Sequence, residues 1–156
     1  MGTSTQLRIL MIAAPGTCKE QPASLLASRL SLPKISPGNA LRVNLRDRTD
    51  LGQQAKAFMA CGDLMPDELI IAMVREQLAL DRAREGFVLD GFPRTVPQAH
   101  AFDQMLAAEF HAGLDLVLRP AVDYEQVLRQ QSGRRTCSRS AALACLRRRH
   151  PGRPLR

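Results

Sequence analysis

At 156 residues the chain has room for one domain with a real core, and with 45% hydrophobic but only 4% aromatic residues that core must be built from aliphatic side chains. No run approaches the roughly 18 uninterrupted apolar residues of a membrane-spanning helix. The formal charge of +7 is unevenly placed: residues 134–156 hold eight arginines and no acid, while the remainder carries 14 basic and 15 acidic residues, so the body reads as a near-neutral folded domain with a basic tail rather than a uniformly basic protein.

In chain order, LRILMIA (Leu7–Ala13) is a short apolar run before a Pro-Gly loop, the pattern of a buried parallel strand. It is too short for a leader peptide and leads straight into the loop, so the expected location is the cytoplasm. CKEQPASLLASRL has helical spacing through Leu25, Leu26 and Leu30, with Pro22 tolerable near the first turn. LPKISPGN reads as a loop with at most a brief strand. LGQQAKAFMACG puts Leu51, Ala55, Phe58 and Met59 on one helical face and stops at Gly62, a C-cap candidate. In the next segment Asp67 can cap a helix carrying Leu69, Ala72, Met73, Glu76 and Leu80.

FVLDG is the second clear strand, TVPQAHAFDQMLAAEFHAG the next helix, DLVLR the third strand and VDYEQVLRQQ a further helix. Strands alternating with helices imply a parallel sheet with crossovers, an α/β domain. TCSRSAALACLRRRHPGRPLR has no persuasive period, and most of residues 134–156 is expected to be poorly ordered. Cys18, Cys61, Cys137 and Cys145 include no C-x-x-C pair, so reduced, incidental thiols are expected and structural zinc is not.

FVLDGFPRT (Phe87–Thr95) resembles the signature of adenylate kinases, the nucleoside monophosphate kinases that interconvert ATP plus AMP with two ADP. Four other stretches resemble the family in order and spacing: APG…K its phosphate loop, ISPGNALR its Ile-Ser-Thr-Gly-Asp-x-Leu-Arg segment, LGQQAKAFMACGDLMPDELI its AMP-side helices, and GRRTC the start of its ATP lid. The resemblance implies a P-loop three-layer α/β/α core over residues 1–133, with an AMP-binding helical insertion at about 35–64 and a lid after Gly133. The family sheet has five parallel strands. The sequence stops inside the lid, so the last strand and C-terminal helix are expected to be missing, leaving a neighbouring strand as an open edge.

By resemblance, the acceptor side consists of Pro37, Arg42, Asp63, Leu64, Met65, the turn Gly91, Phe92, Pro93 and Arg94, and Gln98. Arg42 and Arg94 match arginines that clamp the AMP phosphate, where a planar guanidinium fork suits a tetrahedral anion. Gln98 matches the glutamine that hydrogen-bonds adenine. Pro37 stands where the family has threonine, and Asn39 where it has aspartate.

The donor side, again by resemblance, consists of Gly16, Thr17, Cys18, Lys19, Glu20, Gln21 and Arg134, with Lys19, Arg94, Arg134 and Asp90 as the catalytic set and Mg²⁺ arriving with ATP. It departs from the family pattern. A P-loop curls backbone N–H groups around phosphates and needs glycine where φ is positive or a side chain would collide. Cys18 at such a position costs on the order of 1–2 kcal/mol of backbone strain. Glu20 brings an anion toward a polyanion, a repulsion of roughly 4 kcal/mol at 4 Å and an effective dielectric near 20, unless the side chain swings away. Gln21 replaces the hydroxyl that should ligate Mg²⁺. A further ATP arginine is replaced by Gln130, although Arg129 is adjacent.

Three readings follow. The first is an adenylate kinase-type monomer acting on ATP and AMP, with impaired activity. The second is a non-catalytic AMP-binding remnant. The third is an accessory protein whose Arg-rich tail attracts nucleic acid by counterion release. Nucleic acid is not the expected partner, because a lid remnant accounts for the tail's composition without one.

Overall fold

The structure, a computed structural model, describes residues 7–13, 20–111, 113–121, 124–132, 134–136 and 143–145. Four strands form a parallel sheet in the order β2-β3-β1-β4. They are β1 (Leu7–Met11), β2 (Lys34–Ile35), β3 (Gly86–Asp90) and β4 (Leu116–Leu118). This is the α/β arrangement implied by the strand–helix alternation.

Every residue of β3 is buried, as is β1 from Arg8 to Met11, so the two central strands read as apolar runs rather than as alternating patterns. Side chains still alternate between faces. Leu10, Phe87 and Leu89 join Val74, Leu78, Phe102 and Met105 on one side, while Ile9, Met11 and Val88 meet Ala23 and Ala27 on the other. Helices therefore cover both faces. On the first side the rings of Phe92 and Phe102 meet edge to face, with centroids 5.8 Å apart.

Helix α1 (Glu20–Leu30) approaches the sheet through alanines. The face expected from Leu25, Leu26 and Leu30 is displaced: Ala23 and Ala27 are buried and Leu26 is half-buried, whereas Leu25 is 58% and Leu30 39% exposed. Small residues at i and i+4 let the helix sit close to β1 and β3, turning the bulkier leucines toward solvent.

Two helices that pack against each other follow β2. Helix α2 (Pro37–Asp47) begins inside the segment read as loop. Ser36 is its N-cap, accepting the Asn39 N–H, and Pro37 takes the first helical position, where a missing N–H loses nothing. Helix α3 (Asp50–Cys61) is capped by Thr49, which accepts the Gly52 N–H at 3.0 Å, and ends at Gly62 in the left-handed conformation, φ 74°, as expected. Asn44, 1% exposed, ties the pair together: its amide nitrogen donates to the Ala40 carbonyl and its oxygen accepts from the Thr49 hydroxyl. The buried face of α3 is Gly52 and Ala55, flanked by half-buried Leu51 and Phe58. Met59, expected on that face, is 54% exposed.

Helix α4 (Asp67–Leu78) buries Leu69, Met73, Val74, Gln77 and Leu78. It ends two residues before Leu80, which is 41% exposed instead of continuing the stripe, and Glu76 is exposed as well. Asp67 does not cap α4: Pro66 holds the N-cap position, and the Asp67 carboxylate bonds elsewhere. A short helix α5 (Asp81–Arg84) leads into β3.

Helix α6 (Val96–Met105) continues as a π-helical turn, Leu106–Phe110. Asp115 then docks β4 onto β1: its carboxylate accepts the Arg8 N–H at 2.7 Å, and its own N–H donates to the Arg8 carbonyl at 3.0 Å. β4 lies at the edge of the sheet with Leu116 45% and Val117 52% exposed. Helix α7 (Tyr124–Ser132) follows. Within the tail, where no element was expected, β5 (Arg134–Thr136) and β6 (Leu143–Cys145) pair antiparallel. Among the described residues no helix is long and apolar enough to cross a membrane.

Candidate functional site

In a parallel sheet, loops leaving the carboxyl ends of the strands meet where the crossovers diverge in opposite directions. Here β1 connects through α1 to β2 on one side, and β3 connects through α6 to β4 on the other. The divergence therefore lies between β1 and β3, whose last residues, Met11 and Asp90, are register partners. Asp90 is 6% exposed. The expected phosphate loop begins immediately beyond β1. Gly16, Thr17, Cys18 and Lys19 lie outside the described residues, as does the side chain of Arg134 in β5.

The turn after β3 carries the acceptor-side candidates. The Phe92 side chain is buried in the core at 1% exposure, so only its backbone is offered to a ligand, and the Phe92–Pro93 peptide is cis. Arg94 is exposed, and its Nε donates to the Gly91 carbonyl at 2.7 Å, which folds the guanidinium back over the turn. An exposed guanidinium anchored through Nε is suited to an anion.

Gln98 is 2% exposed. Its Oε1 accepts the Arg94 N–H at 2.8 Å, and its Nε2 donates to Asp67 Oδ1 at 2.5 Å. Thr95, the N-cap of α6, accepts the Gln98 N–H and donates its hydroxyl hydrogen to Asp67 Oδ2 at 2.6 Å. A Thr-x-x-Gln sequence ordinarily closes a reciprocal capping box, in which the glutamine returns to the cap residue's own N–H. In this turn it reaches one residue further back, to Arg94, and the amide is shared with α4. Sequence reading missed Asp67 and Thr95. The Thr-x-x-Gln spacing was a legible signal for the second; for the first, a partner 31 residues away, there was none.

Helix α4 packs against α6, which follows this turn, and also against the α2–α3 pair. Arg42 is exposed on α2, and its Nη1 lies 3.8 Å from the position that a Cβ on Gly38 would take, one turn earlier. Pro37 opens that helix. In the connection from α3 to α4, Asp63 is exposed and Leu64 is 94% exposed, while Met65 packs against Ala40, Ala55, Leu69 and Met73. A leucine so fully in solvent on a loop offers an apolar surface to a planar ligand.

On the donor side Glu20 and Gln21 are exposed at the start of α1. The Glu20 carboxylate, 79% exposed, lies 3.9 Å from Lys34 Nζ, and that ammonium also donates to Ser24 Oγ at 2.8 Å. Arg129 on α7 pairs with Glu125 at 3.1 Å. A hard carboxylate oxygen, such as Asp90 presents at the strand end, is the type of ligand Mg²⁺ takes from a protein while phosphates and waters fill its remaining positions. No cluster of three or more His, Cys, Asp or Glu side chains poised for a metal occurs among the described residues.

Comparison with known proteins agrees with this geometry. Residues 11–143 match the family model described as adenylate kinase. The chain is 53% identical over 132 residues to the adenylate kinase of Acidothermus cellulolyticus, covering 85% of this chain and 60% of the relative. It is 49% identical to that of Salinispora tropica (84% and 60%) and 48% identical to that of Thermobifida fusca (82% and 67%). The chain thus spans about 60% of the length of the first two. Identity at this level over most of the chain, on a parallel sheet with the signature turn at the end of its central strand, establishes that the chain belongs to the adenylate kinase family.

Proposed function

We propose that the cleft between β1, β3 and the α2–α3 pair takes AMP as phosphoryl acceptor and magnesium-bound ATP as donor, giving two ADP. The observation that carries this reading is the turn Gly91–Arg94 after the central strand, where an exposed guanidinium is anchored to the Gly91 carbonyl and the Gln98 amide is held by the Arg94 N–H, with β1 ending alongside. Arg42 and Arg94 bind the acceptor phosphate. Pro37, Asp63, Leu64, Met65, Gly91, Phe92 and Pro93 shape the pocket, and Gln98 reads the base.

Gly16, Thr17, Cys18, Lys19, Glu20 and Gln21 with Arg134 take the donor phosphates. Asp90 would help hold the Mg²⁺ that accompanies the triphosphate, which would supply neutralisation of the phosphate charge. Phosphoryl transfer passes through a loose transition state with its charge spread over the equatorial oxygens, so the work falls to cations held in line. Lys19, Arg94 and Arg134 fill that role. The chain works as a cytoplasmic monomer.

Turnover is far below that of a relative with an intact loop, because Cys18 and Glu20 occupy glycine positions and Gln21 cannot offer the magnesium hydroxyl. The same three substitutions favour a second reading, AMP binding without turnover. A coupled assay of ADP formation with Mg²⁺ separates the two: no rate above a Lys19→Ala control discards the enzyme. Calorimetric titration with AMP tests the acceptor site itself. Heat that is unchanged by Arg94→Ala would remove the basis of both readings.

A further inference from the structure

We infer that Asp67 is a specificity-determining positioning residue: with the Arg94 N–H it fixes which way round the Gln98 amide stands, and so selects 6-aminopurine over 6-oxopurine monophosphates. This rests on the acceptor-site reading above and deepens it. The residue touches no ligand itself and acts through Gln98.

A glutamine amide can turn by 180° about its last bond, exchanging oxygen and nitrogen at almost no steric cost. Two neighbours forbid that exchange here. The Arg94 backbone N–H can only donate, and it meets Oε1 at 2.8 Å. The Asp67 carboxylate can only accept, and it meets Nε2 at 2.5 Å. After rotation an oxygen would face the carboxylate and an N–H would face an N–H, losing both bonds in a side chain that is 2% exposed. The Thr95 hydroxyl, donating to the other carboxylate oxygen at 2.6 Å, stops Asp67 from turning to solvent. The lock thus spans α4 and the start of α6.

These two bonds use one acceptor position of Oε1 and one hydrogen of Nε2. What remains to the amide is one acceptor on the oxygen and one donor on the nitrogen, in a fixed order. A 6-aminopurine offers an N6–H donor beside the N1 acceptor and pairs with that order. A 6-oxopurine offers the O6 acceptor beside an N1–H donor, and pairs only with the exchanged amide. Asp67 makes that exchange expensive.

The experiment is calorimetric titration of the whole chain with AMP and, separately, with inosine monophosphate, which differs at the purine 6-position and the adjoining N1 proton. Wild type should prefer AMP by about tenfold or more, the range of a well-formed bidentate pairing. Asp67→Ala should lower that ratio at least fivefold, through weaker AMP and relatively stronger inosine monophosphate binding. Asp67→Asn should keep most of the ratio, since its carbonyl can still accept from Nε2 while the Thr95 hydroxyl turns to accept from the new amide.

A general loss of structure would weaken both ligands together and leave the ratio where it was. An unchanged ratio in Asp67→Ala therefore overturns the inference. So does equal affinity of wild type for the two nucleotides, which needs no variant to fold. If wild type binds neither, the acceptor-site reading falls and takes this inference with it.

Discussion

The carboxylate of Glu20 lies 3.9 Å from the ammonium of Lys34, joining the first residue of α1 to the strand that follows that helix. The sequence-based expectation of strong repulsion toward bound phosphates assumed a carboxylate facing the loop. Lys34 draws it to one side and into solvent, where a unit-charge pair at about 4 Å is worth about 1 kcal/mol rather than several.

Neutralising Glu20 should therefore give only a modest gain. Glu20→Gln is expected to tighten ATP binding by less than about tenfold. Lys34→Ala should weaken it by freeing the carboxylate, and should do little once Glu20→Gln is present. Titrating ATP into the four proteins of this cycle checks the coupling. Equal effects of Lys34→Ala in both backgrounds would show that the ion pair has no bearing on the donor site.

Repairing the loop should do more. Cys18→Gly, Glu20→Gly and Gln21→Thr together restore the glycines of the family loop and supply a magnesium hydroxyl. ADP formation should rise at least tenfold over the unaltered chain in the coupled assay. A repaired loop with no gain in rate would move the defect elsewhere.

The α2–α3 pair depends on a missing side chain. A Cβ on Gly52 would lie 2.2 Å from the Asn44 carbonyl oxygen and 2.5 Å from its carbon, and backbone cannot step aside as a flexible side chain would. Gly52→Ala should destabilise the chain by about 2 kcal/mol or more, by parting the two helices. Urea unfolding would measure it. Gly113→Ala is the control, since nothing lies within 4 Å of its added Cβ.

Among the described residues β4 is an edge strand, and it presents Leu116 and Val117, 45% and 52% exposed. Open, apolar sheet edges invite pairing with other chains. Val117→Lys should reduce light scattering on concentration while leaving the urea midpoint nearly unchanged, because a half-exposed position gives up little buried area. A large drop in the midpoint with no change in scattering would show that Val117 supports the core rather than the edge.

Much of this was legible in the residues. The runs LRILM and GFVLD announce buried central strands because a strand covered on both faces has no polar side to show. Gly62 announces the end of α3 because few other residues adopt φ 74° without strain. Arg94 and Gln98 stood out through the turn they share. Less legible was which apolar residues of a helix face inward. Leu25, Leu30 and Met59 are as hydrophobic as their neighbours, yet the close approach of α1 to the sheet and of α3 to α2 is made by Ala23, Ala27, Gly52 and Ala55. Periodicity weights large side chains, whereas close packing can prefer small ones.

The sequence by itself determined the alternation of the main strands and helices, the family and the residue types of the acceptor turn, since these are written in local pattern and contiguous motif. Only the tertiary structure decided that Asp67 holds Gln98 instead of capping its own helix, and that Glu20 leans on Lys34. Both contacts join residues that are remote in the chain or on different elements, and their partners are chosen by how the helices cross. A carboxylate at a helix start satisfies local rules equally well as a cap or as a partner. Packing brought the Thr95 hydroxyl and the Gln98 amide within reach of Asp67, and two short hydrogen bonds settled which it became.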